Sequence, residues 1–297
     1  MHKKSIKILI LIICILLIVS CRSVDNTTVD NNIHFGNFFE TQLLPAKGVV
    51  LTVHGLNLLP SKMGDDITDG TIAKLFLDEG YHVYHVTLPG HVGPVSEMRN
   101  VKAQDWLDSA LEQYREAAEI ARENNIPVYL AAFSLGALVY LNLMLNEEDV
   151  AFAGAVLFAP AIAVKGTIRF AFRAGSIFLL NRSIIPGKSH REYRAHSGAS
   201  VSANKALFEL EDALYKSGFT NCNIPALIFI SPRDELISIS KIKKHIEKFN
   251  LTNWNIVPVS ISGAENRPRF HHLIIDNKSV SPETWEKIHE EMFEFLP

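Results

Sequence analysis

The chain predicts an α/β fold: a mostly parallel sheet covered by helices on both faces, with a helical cap inserted part-way along. Three observations carry that expectation. Short apolar runs recur at 48–53, 81–87, 127–133, 153–159, 225–231 and 254–260, and runs without polar alternation suit strands buried on both faces. Helical periodicity falls between them, at about 69–79, 103–124, 136–147, 240–250 and 282–295. The rhythm breaks once, between Pro160 and Cys222, and a gap that long needs structure of its own.

Taken in order, the N-terminus carries separate information. His2, Lys3, Lys4 and Lys7 precede an apolar run from Ile8 to Val19. That run is too short to cross about 30 Å of hydrocarbon but fits the apolar region of a signal peptide. It closes on Ile18-Val19-Ser20-Cys21, which resembles a bacterial lipobox. The resemblance implies a signal peptide over 1–20, lipid on Cys21 and a membrane-anchored protein of the bacterial cell envelope; the alternative is an uncleaved anchor with Cys21 incidental. Residues 22–38, rich in Asn, Asp, Thr and Ser, extend a polar tether over 21–40. Residues 41–297 then form one domain, with the cap at about 161–222. The cap begins with an apolar stretch from Ile168 to Leu180 that holds Arg169 and Arg173, and continues as a polar, basic segment over 181–203. Phe170 to Leu180 is expected to line an acyl-chain entrance. Ser281-Pro282 opens the last helix with a capping residue and a proline at the first helical position.

Composition removes several function classes. A chain of 297 residues, 47% hydrophobic, can bury a substantial single core. The formal net charge is −3 with no long basic run, so the footprint of a nucleic-acid binder is missing. No Cys/His spacing suggests a metal, and no cofactor is expected. Of three cysteines, Cys14 lies in the apolar leader and Cys21 at the expected lipidation site. Cys222 remains as a lone thiol before a strand, read as a small partly buried residue.

The chemistry-bearing signal is Val-Tyr-Leu-Ala-Ala-Phe-Ser-Leu-Gly at 128–136. An apolar run ends in a serine flanked by small residues two positions either side, as a sharp strand-to-helix turn requires. Ser134 would project from that turn as a nucleophile. Leu135 would open the next helix, its N–H at the positive end of the dipole and free to face an oxyanion. The run at 48–55 ends in His54-Gly55, so the Leu56 N–H can be the second oxyanion donor. Asp234, just past the run at 226–230, is the candidate acid. A later loop carries His271 and His272, with Asp276 behind them, and a base belongs there. The chain order Ser, Asp, His differs from the chymotrypsin and subtilisin orders. His54 is read as shaping its loop.

These segments, together with Leu88-Pro89-Gly90-His91-Val92-Gly93 and Asp234-Glu235-Leu236-Ile237, resemble the α/β-hydrolase superfamily. The similar branch holds monoacylglycerol lipases, small bacterial carboxylesterases and serine-aminopeptidase-like hydrolases. The resemblance covers roughly 45–297 and departs from many relatives in Ala132, where they carry glycine. The family spacing of an acid five positions after the base favours His271 over His272. It implies two-step acyl transfer by Ser134, His271 and Asp234 on a small-molecule or lipid ester, with oxyanion donors Leu56 and Leu135. A serine aminopeptidase would use the same triad but calls for acidic cap residues, and 161–203 holds only Glu192. A non-catalytic envelope lipoprotein on a hydrolase scaffold is the third reading.

Overall fold

The computed structural model describes residues 36–64, 67–261 and 270–297. Its strands, in chain order, are β1 (Gly36–Phe39), β2 (Val49–Val53), β3 (His82–Val86), β4 (Val128–Phe133), β5 (Gly154–Phe158), β6 (Ile184–Pro186), β7 (Gly198–Ser200), β8 (Ala226–Ile230) and β9 (Trp254–Pro258). Seven of them form one sheet in the order β1-β3-β2-β4-β5-β8-β9. All neighbours in it are parallel except β1, which runs antiparallel to β3. The six apolar runs are thus the six parallel strands, and β2, β3, β4, β5 and β8 are buried almost throughout because helices cover both faces.

The helices are α1 (Ile72–Asp78), α2 (Val95–Asn100), α3 (Ala103–Asn124), α4 (Leu135–Asn146), α5 (Gly166–Ser176), α6 (Val201–Lys216), α7 (Ile239–Phe249) and α8 (Pro282–Phe295). Their starts follow from local hydrogen bonding. Thr71, Ser200, Ser238 and Ser281 each accept an amide of the first turn that would otherwise lack a partner. Helix α4 is apolar all round and sits beneath α3 and α6. Its one awkward residue, Asn142, is satisfied by donating to the Leu138 and Leu210 carbonyls. One core lies on this face, around Trp106, Leu138 and Ile228; the other lies beneath α1 and α8, around Phe76, Tyr81 and Phe229.

Three sequence expectations change. Residues 36–39, expected as the end of the tether, pair with β3 instead, because Phe38 and Phe39 carry apolar surface that the sheet edge covers. The insertion does not stay a cap to residue 222: α6 packs against α4 and belongs to the core layer, which leaves about 161–200 as the cap. Within the cap lies a two-stranded hairpin, β6 with β7, where only helix was expected. The expected signal peptide, Cys21 and most of the tether fall outside the described residues. No helix among the described residues is long and apolar enough to cross a membrane.

Candidate active site

The loops after the C-terminal ends of β2, β4 and β8 converge on Ser134. The tight turn between β4 and α4 holds that serine at φ 50°, ψ −106°, a conformation that is costly for a residue with a Cβ and is kept only where surroundings enforce it. Its N–H donates to the Phe158 carbonyl at 2.9 Å and its own carbonyl accepts from Ala161 at 3.0 Å. Gly136 must be glycine: a Cβ there would meet Val53 at 2.7 Å and the His54 carbonyl oxygen at 2.8 Å. Ala132, in place of the expected glycine, is accommodated in β4 opposite Val53 and Leu157.

The imidazole at the serine is His272. Its Nε2 lies 3.0 Å from Ser134 Oγ and its Nδ1 2.7 Å from Asp234 Oδ2. Asp234 is 1% exposed, and its other oxygen accepts the Leu236 and Ile237 amides at 2.7 Å each. The sequence expectation of His271 is therefore corrected. His271 points away, its Nδ1 3.5 Å from Ser231 Oγ, and faces a cavity shared with Arg233 and Pro258. The spacing argument failed because Asp276 takes no part in orienting the base. Asp276 accepts the Tyr193 hydroxyl of the cap, at 2.9 and 3.1 Å, and the Ser279 amide at 2.7 Å. An acid held by other partners says nothing about which of two adjacent histidines turns inward.

Glu235 was not singled out in the sequence, yet its carboxylate accepts the His272 backbone N–H at 3.2 Å and so fixes the register of the loop. Lys165, at the cap base, donates to the Asp234 carbonyl. Adjacent acids at 234–235 were the visible signal for the first; nothing local marks the second.

Electrostatics suit proton transfer. Burial alone would push the Asp234 carboxyl up, but the facing His272 and the two amides outweigh it and hold the pKa below the usual range. Burial likewise opposes charge on His272, while Asp234 and then Glu235 raise it above 6.5. Two buried histidines nearby stay neutral. His54 and His85 are driven by burial to about 3. His54 is committed to loop contacts, Nδ1 on the Gly55 carbonyl at 3.0 Å and Nε2 accepting from the Leu88 amide at 3.0 Å. Burial pushes the Cys222 thiol up to about 12, which disqualifies it as a nucleophile at neutral pH.

Two amides are available for an oxyanion. Leu135 N–H heads α4, and Leu56 N–H makes no backbone hydrogen bond among the described residues. The turn carrying Leu56 abuts the nucleophile, since a Cβ on Gly55 would lie 3.1 Å from Ser134 Cβ and 2.6 Å from the Phe133 ring. Among the described residues no group of three or more His, Cys, Asp or Glu side chains could hold a metal ion.

Residues 45–198 match the family model described as serine aminopeptidase, S33, of the hydrolase-4 type. The chain belongs to this hydrolase family. Among solved structures it is similar to a soluble variant of monoglyceride lipase from Saccharomyces cerevisiae, with TM-score 0.68 and 14% identity over 93% of this chain and 96% of that one. A metagenome-derived lipolytic enzyme gives TM-score 0.67 and 19% identity over 88% and 96%. The monoacylglycerol lipase of Paleococcus ferrophilus gives 0.59 and 18% over 88% and 97%. Identities this low establish the α/β-hydrolase fold that the hydrolase shares with them. No curated protein matches its sequence.

Proposed function

We propose that the protein is a serine hydrolase that cleaves carboxylic esters through an acyl-enzyme. The observation that carries this reading is the unbroken Ser134–His272–Asp234 hydrogen-bond chain. Ser134 Oγ attacks the ester carbonyl as its proton passes to His272 Nε2. Asp234 keeps Nδ1 protonated, so that Nε2 presents its lone pair, and stabilises the imidazolium that forms. The Leu56 and Leu135 amides hold the oxyanion. His272 then returns the proton to the leaving alkoxide, and a water, activated by the same imidazole, resolves the acyl-enzyme. Fluorophosphonate labelling of wild type, together with hydrolysis of p-nitrophenyl esters, tests the reading. Ser134→Ala should abolish both, and labelling that persists in folded Ser134→Ala would overturn the assignment.

The cap favours lipid-derived esters. Phe170, Ile177, Phe178 and Leu180 are each at least three-quarters exposed, so they do not enclose a channel as the sequence suggested. Arg169 is drawn inward to Glu211 and Asp212 and Phe172 lies against Phe208, which turns Phe170 on α5 outward, and the turn after α5 leaves Ile177, Phe178 and Leu180 exposed. Such an apolar face, with Arg173 on the same helix and Arg182 two residues past Leu180 in the chain, suits a membrane surface. Lipid on Cys21 would hold the enzyme there, and mass analysis of the mature N-terminus tests it. The aminopeptidase reading draws on the family description; turnover of aminoacyl p-nitroanilides in preference to esters would favour it. Glu192, the only acid in 161–203, lies 3.8 Å from His190.

A further inference from the structure

We propose that Asn57 is a positioning residue that lets the seated cap set the Leu56 amide, so the oxyanion site is complete only when cap segment 193–196 is docked. The inference rests on the ester-hydrolase reading above and adds to it a device outside the triad. Asn57 follows Leu56 directly and holds a left-handed backbone conformation, φ 56°. All four of its polar groups are engaged. Its N–H donates to His91 Nε2 at 3.0 Å. Its carbonyl accepts from the Ala195 amide at 3.1 Å. Its Oδ1 accepts from the His196 amide at 2.9 Å, and its Nδ2 donates to the His196 carbonyl at 3.3 Å. Three of these four bonds therefore come from the cap.

The strap is held at both ends. Leu59 N–H donates to the Tyr193 carbonyl at 2.9 Å, and Leu58 pairs with Arg194 in an antiparallel bridge. Tyr193 reaches Asp276, four residues beyond the base, and His196 Nε2 contacts the Gly90 carbonyl at 2.9 Å. Gly187 leaves the space, since a Cβ there would lie 3.2 Å from Asn57 Nδ2. The core side of the grip is also fixed. His91 Nδ1 faces the Leu88 and Pro89 carbonyls, so Nε2 carries the lone pair that Asn57 N–H needs. The same strap thus touches the loop of the oxyanion donor and the loop of the base. An amide that must sit within a few tenths of an ångström of a developing charge gains from such bracing.

The test is Asn57→Gly, which keeps both backbone bonds, suits the positive φ and deletes only the side-chain grip on His196. Losing one oxyanion donor costs about 10²- to 10³-fold in kcat; misplacing one should cost about 10- to 100-fold, with KM little changed. Affinity for an ester-like trifluoromethyl ketone should fall by the same factor as kcat/KM. In that adduct Ser134 Oγ bonds to the ketone carbon, its proton passes to His272 and the ketone oxygen becomes the oxyanion. Asn57→Asp, which keeps the acceptor but loses the donor, should shift both quantities the same way and serves if the glycine variant does not fold. A folded variant with wild-type kcat and wild-type ketone affinity, or one whose loss lies wholly in KM, overturns the inference. Wild type that neither labels with fluorophosphonate nor hydrolyses esters overturns the ester-hydrolase reading instead, and this one with it.

Discussion

Ser134 is inseparable from its strain. A backbone at φ 50°, ψ −106° costs on the order of 1–3 kcal/mol for a residue with a Cβ and little for glycine. Ser134→Gly should therefore melt above Ser134→Ala, by about 1 kcal/mol, although both are inactive; calorimetry of the pair measures it. The base gives a pH signature. His272 must be neutral to accept the serine proton, and its pKa is raised above 6.5, so kcat/KM should rise with pH through a midpoint above 6.5. Asp234→Asn removes the charge that raises it and the acceptor that fixes the tautomer. The midpoint should then fall and the rate drop by about 10⁴-fold. His272→Ala should do comparable damage while His271→Ala stays within about tenfold of wild type. At this scale the serine and the acid were legible, because each sits at a fixed offset from an apolar strand run. The base was legible only to a pair. What chooses between the two histidines is a contact with Glu235 from a loop 37 residues away, which no local spacing reports.

Elements read well where they are long and apolar. Helices α3 and α8 fall at the expected boundaries because a 22-residue amphipathic stretch and a Ser-Pro start leave little freedom. Strand β1, with four residues, and the hairpin β6–β7, with three in each strand, were not legible. Strands so short are defined by their partners rather than by their own pattern. The cap junction offers a prediction at this scale. Glu211, 4% exposed, accepts the Val164 amide at 2.9 Å and lies 3.2 Å from both Arg169 and Lys241. It ties α5, α6 and α7 together at the root of the cap. Glu211→Ala strands a buried amide and two cations that keep partial access to water, so it should cost about 2 kcal/mol in urea unfolding. Glu211→Gln should cost less.

For the whole molecule, alternating β and α segments implied the parallel sheet, and chain order implied which loops would meet at its catalytic end. Strand order could not be read, since the reversal that sends β3 outward and β4 inward from β2 depends on crossover direction rather than on any residue. The outward-facing cap yields the prediction that belongs here. Phe170→Asp with Phe178→Asp, both on exposed positions, should leave turnover of a soluble acetyl ester within about twofold. The pair should weaken co-sedimentation with anionic vesicles severalfold and depress hydrolysis of vesicle-borne esters. Equal loss on soluble and vesicle substrates would mean that these rings hold the cap together.

Strand β1 has a geographical consequence. Because it runs against its neighbour, Gly36 pairs with Val86 at the far end of β3 and Phe39 with Val83, so the chain enters the domain on the rim from which Ser134, His272 and Asp234 open. Fourteen residues lie between Cys21 and Gly36, and the steps that join the two, at about 3.3–3.6 Å each, reach at most about 54 Å. A lipid at Cys21 would moor the protein by the rim of its mouth, on a leash no longer than that reach. It would graze on the leaflet that holds it, and esters on a facing membrane farther off than that leash allows would lie out of its range.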